Sequence, residues 1–243
     1  MADRLILLPG WGLGTAPLQP LTEALRGLDP HLQVQVEPLP VVNSNDPADW
    51  LDALDASVPQ DAWLGGWSLG GMLATALAAR RGGRCRGLLT LASNACFVAR
   101  DAWPQAMPAD TFVGFYQGCE ANVDATLKRF AMLCAQGSLD ARGLSRQLQA
   151  HLLLSDEASA LAGLRVLAAI DNRAALRGFA GPQQHLLAEQ DALVPAAVSD
   201  ALVALLPTGE VDVLEGCGHA LVLEQADTLA ALMLDFIREA SDV

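Results

Sequence analysis

The chain has 243 residues, 52% of them apolar, enough for one large core and short for two independent ones. Its formal charge of −13 argues against nonspecific binding to nucleic acid or to an anionic membrane surface. Five cysteines, Cys85, Cys96, Cys119, Cys134 and Cys217, show no C-x-x-C spacing and no partner histidines. That pattern argues against a disulfide framework and a zinc site, so reduced thiols, a cytoplasmic location and no metal or cofactor are expected.

The first apolar run, Leu5 to Leu8, stops at Pro9-Gly10. It falls well short of the ~18 residues of a membrane span, so neither a signal peptide nor a membrane helix is expected. Further short runs rich in Leu, Ile and Val follow at Val34 to Val36, Ala62 to Leu64, Leu88 to Ala92, Gln184 to Leu187 and Val211 to Leu214. Alternating with longer helical patterns, they predict βαβ units and a mostly parallel sheet flanked by helices. Between the fourth and fifth runs, residues 96–180 carry no strand pattern. Val123, Leu127, Phe130 and Cys134 recur at helical intervals there, and Leu144, Leu148 and Leu152 repeat every fourth position. The expected organisation is therefore one α/β core, residues 1–95 and 181–243, with a helical lid inserted at 96–180. The lid segment holds eight basic and eight acidic residues, so the whole net charge lies outside it.

Trp63-Leu64-Gly65-Gly66-Trp67-Ser68-Leu69-Gly70-Gly71 reads as strand, G-x-S-x-G, then helix. In the nucleophile elbow of an α/β-hydrolase fold, small residues at the glycine positions let strand and helix approach, and the serine stands at a helix N-terminus where developing negative charge is favoured. The bland alternative for Ser68 is an ordinary N-cap serine. A serine nucleophile needs a base and an orienting acid, in the chain order Ser, Asp or Glu, His. Of the histidines after Ser68, His151 sits in a helical pattern and His185 within a predicted strand, whereas His219 follows the last strand in the Gly-rich loop Glu215-Gly216-Cys217-Gly218. Asp191 follows the preceding strand, with Glu189 as its nearest rival. Oxyanion donors are expected from the backbone N–H of Leu69 and from the loop Pro9-Gly10-Trp11-Gly12, where Trp11 offers an N–H and an apolar wall.

These residues, together with Leu91-Ala92-Ser93-Asn94-Ala95-Cys96-Phe97, Arg100-Asp101-Ala102-Trp103-Pro104 and Asp191-Ala192-Leu193-Val194-Pro195, resemble the BioH-type pimeloyl-acyl-carrier-protein methyl ester esterases of biotin synthesis along nearly the whole chain. The resemblance implies Ser68, Asp191 and His219 as a catalytic triad. It also implies an acyl site lined by Trp11, Leu69 and the lid segment Phe130, Ala131, Met132, Leu133 and Cys134. Arg129, Arg142 and Arg146 match basic lid residues of the family, which implies contact with an acidic acyl carrier protein or its phosphopantetheine. Lys128 to Arg146 carries four bases against Asp140 alone, and Arg142 and Arg146 are four apart, on one helix face. The chain departs from its relatives in having Pro9-Gly10 in its first loop and Glu37-Pro38-Leu39-Pro40-Val41-Val42 where a Gly-rich turn is usual, a change that reshapes the expected pocket wall. Rival readings are a general carboxylesterase acting on small free esters and a noncatalytic hydrolase-like binding protein.

Overall fold

The computed structural model describes residues 3–153, 157–206 and 208–241. Six strands, β1 (Arg4–Leu8), β2 (Gln33–Val36), β3 (Ala62–Trp67), β4 (Cys85–Leu91), β5 (Gln183–Ala188) and β6 (Glu210–Leu214), form one all-parallel sheet in the order β2-β1-β3-β4-β5-β6. The inner strands β3 and β5 are buried along their whole length, while the edge strands β2 and β6 alternate or face water. This is the pattern expected when helices cover both faces of a parallel sheet. The chain moves outward from β1 to β2 and then crosses back to β3, so the strand order reverses between β1 and β3. A crevice opens at the carboxyl ends of strands at such a switch point.

Helices α1 (Gln19–Leu28) and α11 (Ala226–Ser241) pack together, α2 (Pro47–Ser57) lies beside α3 (Leu69–Arg81), and α3 packs on β3 and β4. Between β4 and β5 come α4 (Ala109–Ala121), α5 (Val123–Cys134), α6 (Ala141–Ala150), α7 (Glu157–Ala169) and α8 (Arg173–Gly178). Helices α4 to α7 pack on one another, whereas α8 packs on α3 and α9 (Val198–Leu205), as a sheet-flanking helix does. The short α10 (Leu221–Glu224) precedes α11. Among the described residues, no helix is long and apolar enough to cross a membrane.

Every strand differs from the sequence reading by a residue or more at one end at least, and two of the differing boundaries, one in a strand and one in a helix, have a visible cause. Strand β3 continues through Gly65-Gly66-Trp67, because the backbone there must lie against its neighbours: a Cβ on Gly65 would come within 2.9 Å of both Leu7 and Leu89. The four-residue repeat ending at Leu152 overruns its helix. Helix α6 stops at Ala150 and Leu152 forms a bridge with Leu13, flanked by hydrogen bonds from Gly14 N to His151 O (3.3 Å) and from Leu153 N to Gly12 O (3.0 Å).

Candidate active site

Ser68 lies between β3 and α3 with φ 56° and ψ −121°, a left-handed conformation that costs a non-glycine residue on the order of 1 to 3 kcal/mol. The surrounding chain imposes it. A Cβ on Gly66 would fall 2.3 Å from the Gly70 carbonyl carbon, and one on Gly70 would fall 2.2 Å from Leu8 O, so strand, turn and helix are in backbone contact. Ser68 N donates to Leu91 O (2.9 Å), while its own carbonyl accepts from Met72 N (3.1 Å) and from Ser93 Oγ (3.0 Å). Leu69 is the first residue of α3, so its backbone N–H has no intrahelical acceptor. Gly10 adjoins the same spot, since a Cβ there would lie 3.5 Å from Ser68 Cβ.

On the far side of the crevice, His219 is fully buried and its Nδ1 lies 2.7 Å from Asp191 Oδ2. The carboxylate can only accept, so Nδ1 carries the hydrogen and Nε2 presents its lone pair. Among the described residues, Nε2 has no hydrogen-bond partner. The other oxygen of Asp191 accepts from Leu193 N (2.7 Å) and Val194 N (2.9 Å), so this carboxylate both caps a turn and orients the ring. Glu189, the rival acid, instead accepts from Gly216 N (3.1 Å), and Glu224 accepts from Gly218 N (3.1 Å); the two carboxylates brace the loop carrying His219. Trp67 ties that loop to the elbow. Its indole donates to His219 O (2.8 Å), and its ring centroid lies 5.7 Å from the imidazole. Burial pushes the nearby Cys217 thiol up to about 11 and holds Cys134 well above its usual range, with Asp191 adding to both, so neither sulfur is a thiolate at neutral pH.

The remaining residues singled out in the sequence divide between two places. Phe130 is buried and meets Trp11 edge to face at 5.1 Å. With Phe97, Phe115, Leu164 and Leu193, these two rings enclose an apolar cavity of about 10 Å³, room for no more than one water. Ala131 and Cys134 are also buried, and Cys134 O accepts from Ala220 N (3.1 Å), binding the end of α5 to the histidine loop. Met132, expected in the acyl site, is 60% exposed and turned the other way. With the half-buried Leu133 it lines an outer groove between α5 and α6 that also holds Arg129, Arg142 and Arg146. The cause is helical geometry: two positions after Phe130 the side chain has rotated by about 200°, onto the opposite face. The Trp11 indole likewise differs from the expectation of a free donor, because Nε1–H is committed to Ala160 O at 2.9 Å.

Several residues that build the site carried no role in the sequence reading. Asn94 donates to Gln105 O (2.8 Å) and accepts from Trp103 Nε1 (2.8 Å), while Asn172 bonds Met72 O (2.8 Å) through its side chain and Ala95 O (2.8 Å) through its N–H. Arg100 reaches Ala168 O (2.5 Å) and faces Asp171, which Arg173 also grips. The Ala-Ser-Asn-Ala-Cys-Phe and Arg-Asp-Ala-Trp-Pro stretch is thus the seam that joins both ends of the α4–α7 segment to the elbow helix. Among the described residues, no cluster of side chains could hold a metal ion.

A family model described as alpha/beta hydrolase fold matches residues 8–226. The chain is 36% identical to pimeloyl-[acyl-carrier protein] methyl ester esterases of Xylella fastidiosa strain M12 and of Aromatoleum aromaticum, over 96% of its own length and 94% and 98% of theirs. It is 37% identical to a biotin biosynthesis bifunctional protein, BioHC, of Cellvibrio japonicus, spanning 47% of that longer protein. In three dimensions it is similar to a bromoperoxidase from Bacillus anthracis, with a TM-score of 0.86 over 98% of this chain and 92% of that one at 16% identity, a likeness of fold. The chain therefore belongs to the α/β-hydrolase family and, within it, to the family of the pimeloyl-[acyl-carrier protein] methyl ester esterases.

Proposed function

We propose that this serine carboxylesterase hydrolyses the methyl ester of a pimeloyl chain carried on an acyl carrier protein, with Ser68, His219 and Asp191 as its triad and, within residues 96–180, the α4–α7 segment as a lid over the core while α8 belongs to the core. The observation that carries the reading is the buried His219–Asp191 pair, which Trp67 ties to the strained serine elbow and whose Nε2 has no hydrogen-bond partner among the described residues. Ser68 Oγ attacks the ester carbonyl carbon as its proton passes to His219 Nε2. The resulting oxyanion is held by the backbone N–H groups of Leu69 and Trp11, each such donor being worth roughly 3 to 4 kcal/mol. Collapse breaks the bond to the methoxy oxygen, which leaves as methanol with the proton from His219. Water, deprotonated by the same nitrogen, then releases the pimeloyl carboxylate and restores Ser68.

Carrier recognition rests on the outer groove, where Arg129, Arg142 and Arg146 are exposed and none is ion-paired to a carboxylate among the described residues. Asp140, the acid nearest in sequence, is occupied in capping α6 through Gly143 N. An unneutralised basic face on an acidic body gives an acidic partner one favourable approach. The deciding experiment is complementation of a biotin-requiring strain that lacks its methyl ester esterase. The wild-type gene should restore growth and Ser68→Ala should not; growth with neither removes the pathway assignment, and growth with both removes the serine mechanism.

A further inference from the structure

The inner cavity, at about 10 Å³, admits no acyl chain as it stands. On the other side of the Trp11 indole lies a cleft of about 370 Å³, within the range of small-ligand sites, walled by Leu39, Val42, Trp50, Ala160 and Gly163. Its aromatic walls present only carbon, because both indole N–H groups are already spent, Trp11 on Ala160 O (2.9 Å) and Trp50 on Ser44 O (2.9 Å). Gly163 makes the partition possible: a Cβ there would come within 2.6 Å of Trp11 Cδ1, so α7 leaves a notch that the indole fills. Leu39 and Val42, in the stretch that follows β2, are half-buried against the core.

We propose that this cleft is a second apolar subsite of the esterase, taking the hydrocarbon segment of medium-chain esters that the inner cavity cannot admit, with Trp11 as the wall between the two; this rests on the proposed ester hydrolysis at Ser68. The occupant is a saturated chain rather than a polar group because every lining side chain except that of Ser159 is apolar, none is charged, and both indole donors are spent. Trp11 lines both the cleft and the inner cavity, and it follows directly on Gly10, which adjoins Ser68.

The test compares p-nitrophenyl butyrate, octanoate and dodecanoate on the full chain, with Val42→Asp as the cleft variant and Leu139→Asp, at a fully exposed lid position, as the control. Each methylene withdrawn from an apolar site costs about fourfold, so Val42→Asp should lower the dodecanoate-to-butyrate ratio of kcat/KM at least tenfold. Leu139→Asp should leave the ratio unchanged. A second readout needs no turnover: ω-bromododecanoate should quench the fluorescence of Trp11 and Trp50 in the wild type and in Ser68→Ala, and fail to do so in Val42→Asp. An unchanged chain-length ratio together with no quenching in the wild type overturns the subsite. Quenching without hydrolysis of any ester by the wild type overturns the esterase reading and leaves the hydrocarbon site standing.

Discussion

The crevice at the strand ends and the outer face of α5 and α6 are built on opposite terms. In the crevice, Ser68, Leu69, Asp191 and His219 are held by backbone contacts, glycine approaches and buried hydrogen bonds, and the His219 and Asp191 side chains are almost wholly out of water. On the outer face, Arg129, Met132, Arg142 and Arg146 stand on two amphipathic helices with their ends in solvent. The first arrangement tolerates almost no displacement, as electrostatic stabilisation of a developing oxyanion requires. The second can change a charge without disturbing the core. On the proposed reading chemistry and partner choice are therefore separable, and mutations in the two regions should have different kinds of consequence.

The largest effect belongs to the crevice. Ser68→Ala should lower kcat for any ester by at least about ten-thousand-fold with little change in melting temperature, since the missing hydroxyl has no structural hydrogen bond to lose. A residual rate within tenfold of wild type would end the comparison, because the crevice would then not be where the bond breaks. Gly70→Ala probes the same region through the fold. Its Cβ would meet the carbonyl oxygens of Leu8 and Pro9, and backbone atoms cannot swing aside, so a loss of about 3 to 5 kcal/mol in unfolding free energy is expected. Chemical denaturation of the purified variant measures it, and wild-type stability would mean that strand and elbow are not in contact.

Somewhat smaller is the pH dependence that the sheet interior imposes. His185 in β5 is wholly buried, its Nδ1 2.7 Å from Thr90 Oγ1, and burial lowers its pKa from 6.5 to about 4. The unfolded chain therefore takes up a proton before the folded one does. The stabilisation is complete above about pH 6.5 and declines as pH falls toward 4, by about 3 kcal/mol over that window. Urea unfolding from pH 7 to 4 should show that slope, and His185→Gln should flatten it. An unaltered slope in the variant would assign the acid sensitivity to other groups.

How much of this was legible in the amino acids depends on what each feature is made of. Inner strands announce themselves by short apolar runs such as Leu5 to Leu8 and Leu88 to Leu91, because strands buried on both faces need them, while the edge strands β2 and β6 show only an alternation of Val with polar residues. Loops at strand ends are equally visible when they carry glycine, as around Ser68 and His219. The continuation of β3 through Gly65-Gly66 was hidden, since glycine is a poor strand former in isolation and only the nearness of Leu7 and Leu89 calls for it. Tertiary choices were hidden too. The Trp11 indole bonds a carbonyl about 150 residues away. Leu152 leaves its helical repeat to pair with Leu13. Met132 lies near a residue of the inner cavity in sequence but on the opposite side of its helix. A periodic pattern shows that a helix has an apolar face; which neighbour covers that face is decided by the rest of the chain.

The smallest effect is also the one that sharpens the contrast most. Arg142 and Arg146 lie one turn apart on α6, and Arg129 faces them across the groove from α5. Reversing the first two, Arg142→Glu with Arg146→Glu, removes two attractive charges and installs two repulsive ones, yet both side chains are exposed and neither is ion-paired among the described residues. Rim charges of this kind act mainly on encounter, so kcat/KM for a carrier-linked methyl ester should fall about ten- to a hundredfold, and the loss should shrink as ionic strength rises. Turnover of p-nitrophenyl butyrate, which has no charged partner to dock, should change less than twofold. Equal losses on both substrates would show that the outer groove and the crevice are coupled through the lid; no loss on either would show that the carrier approaches from another face.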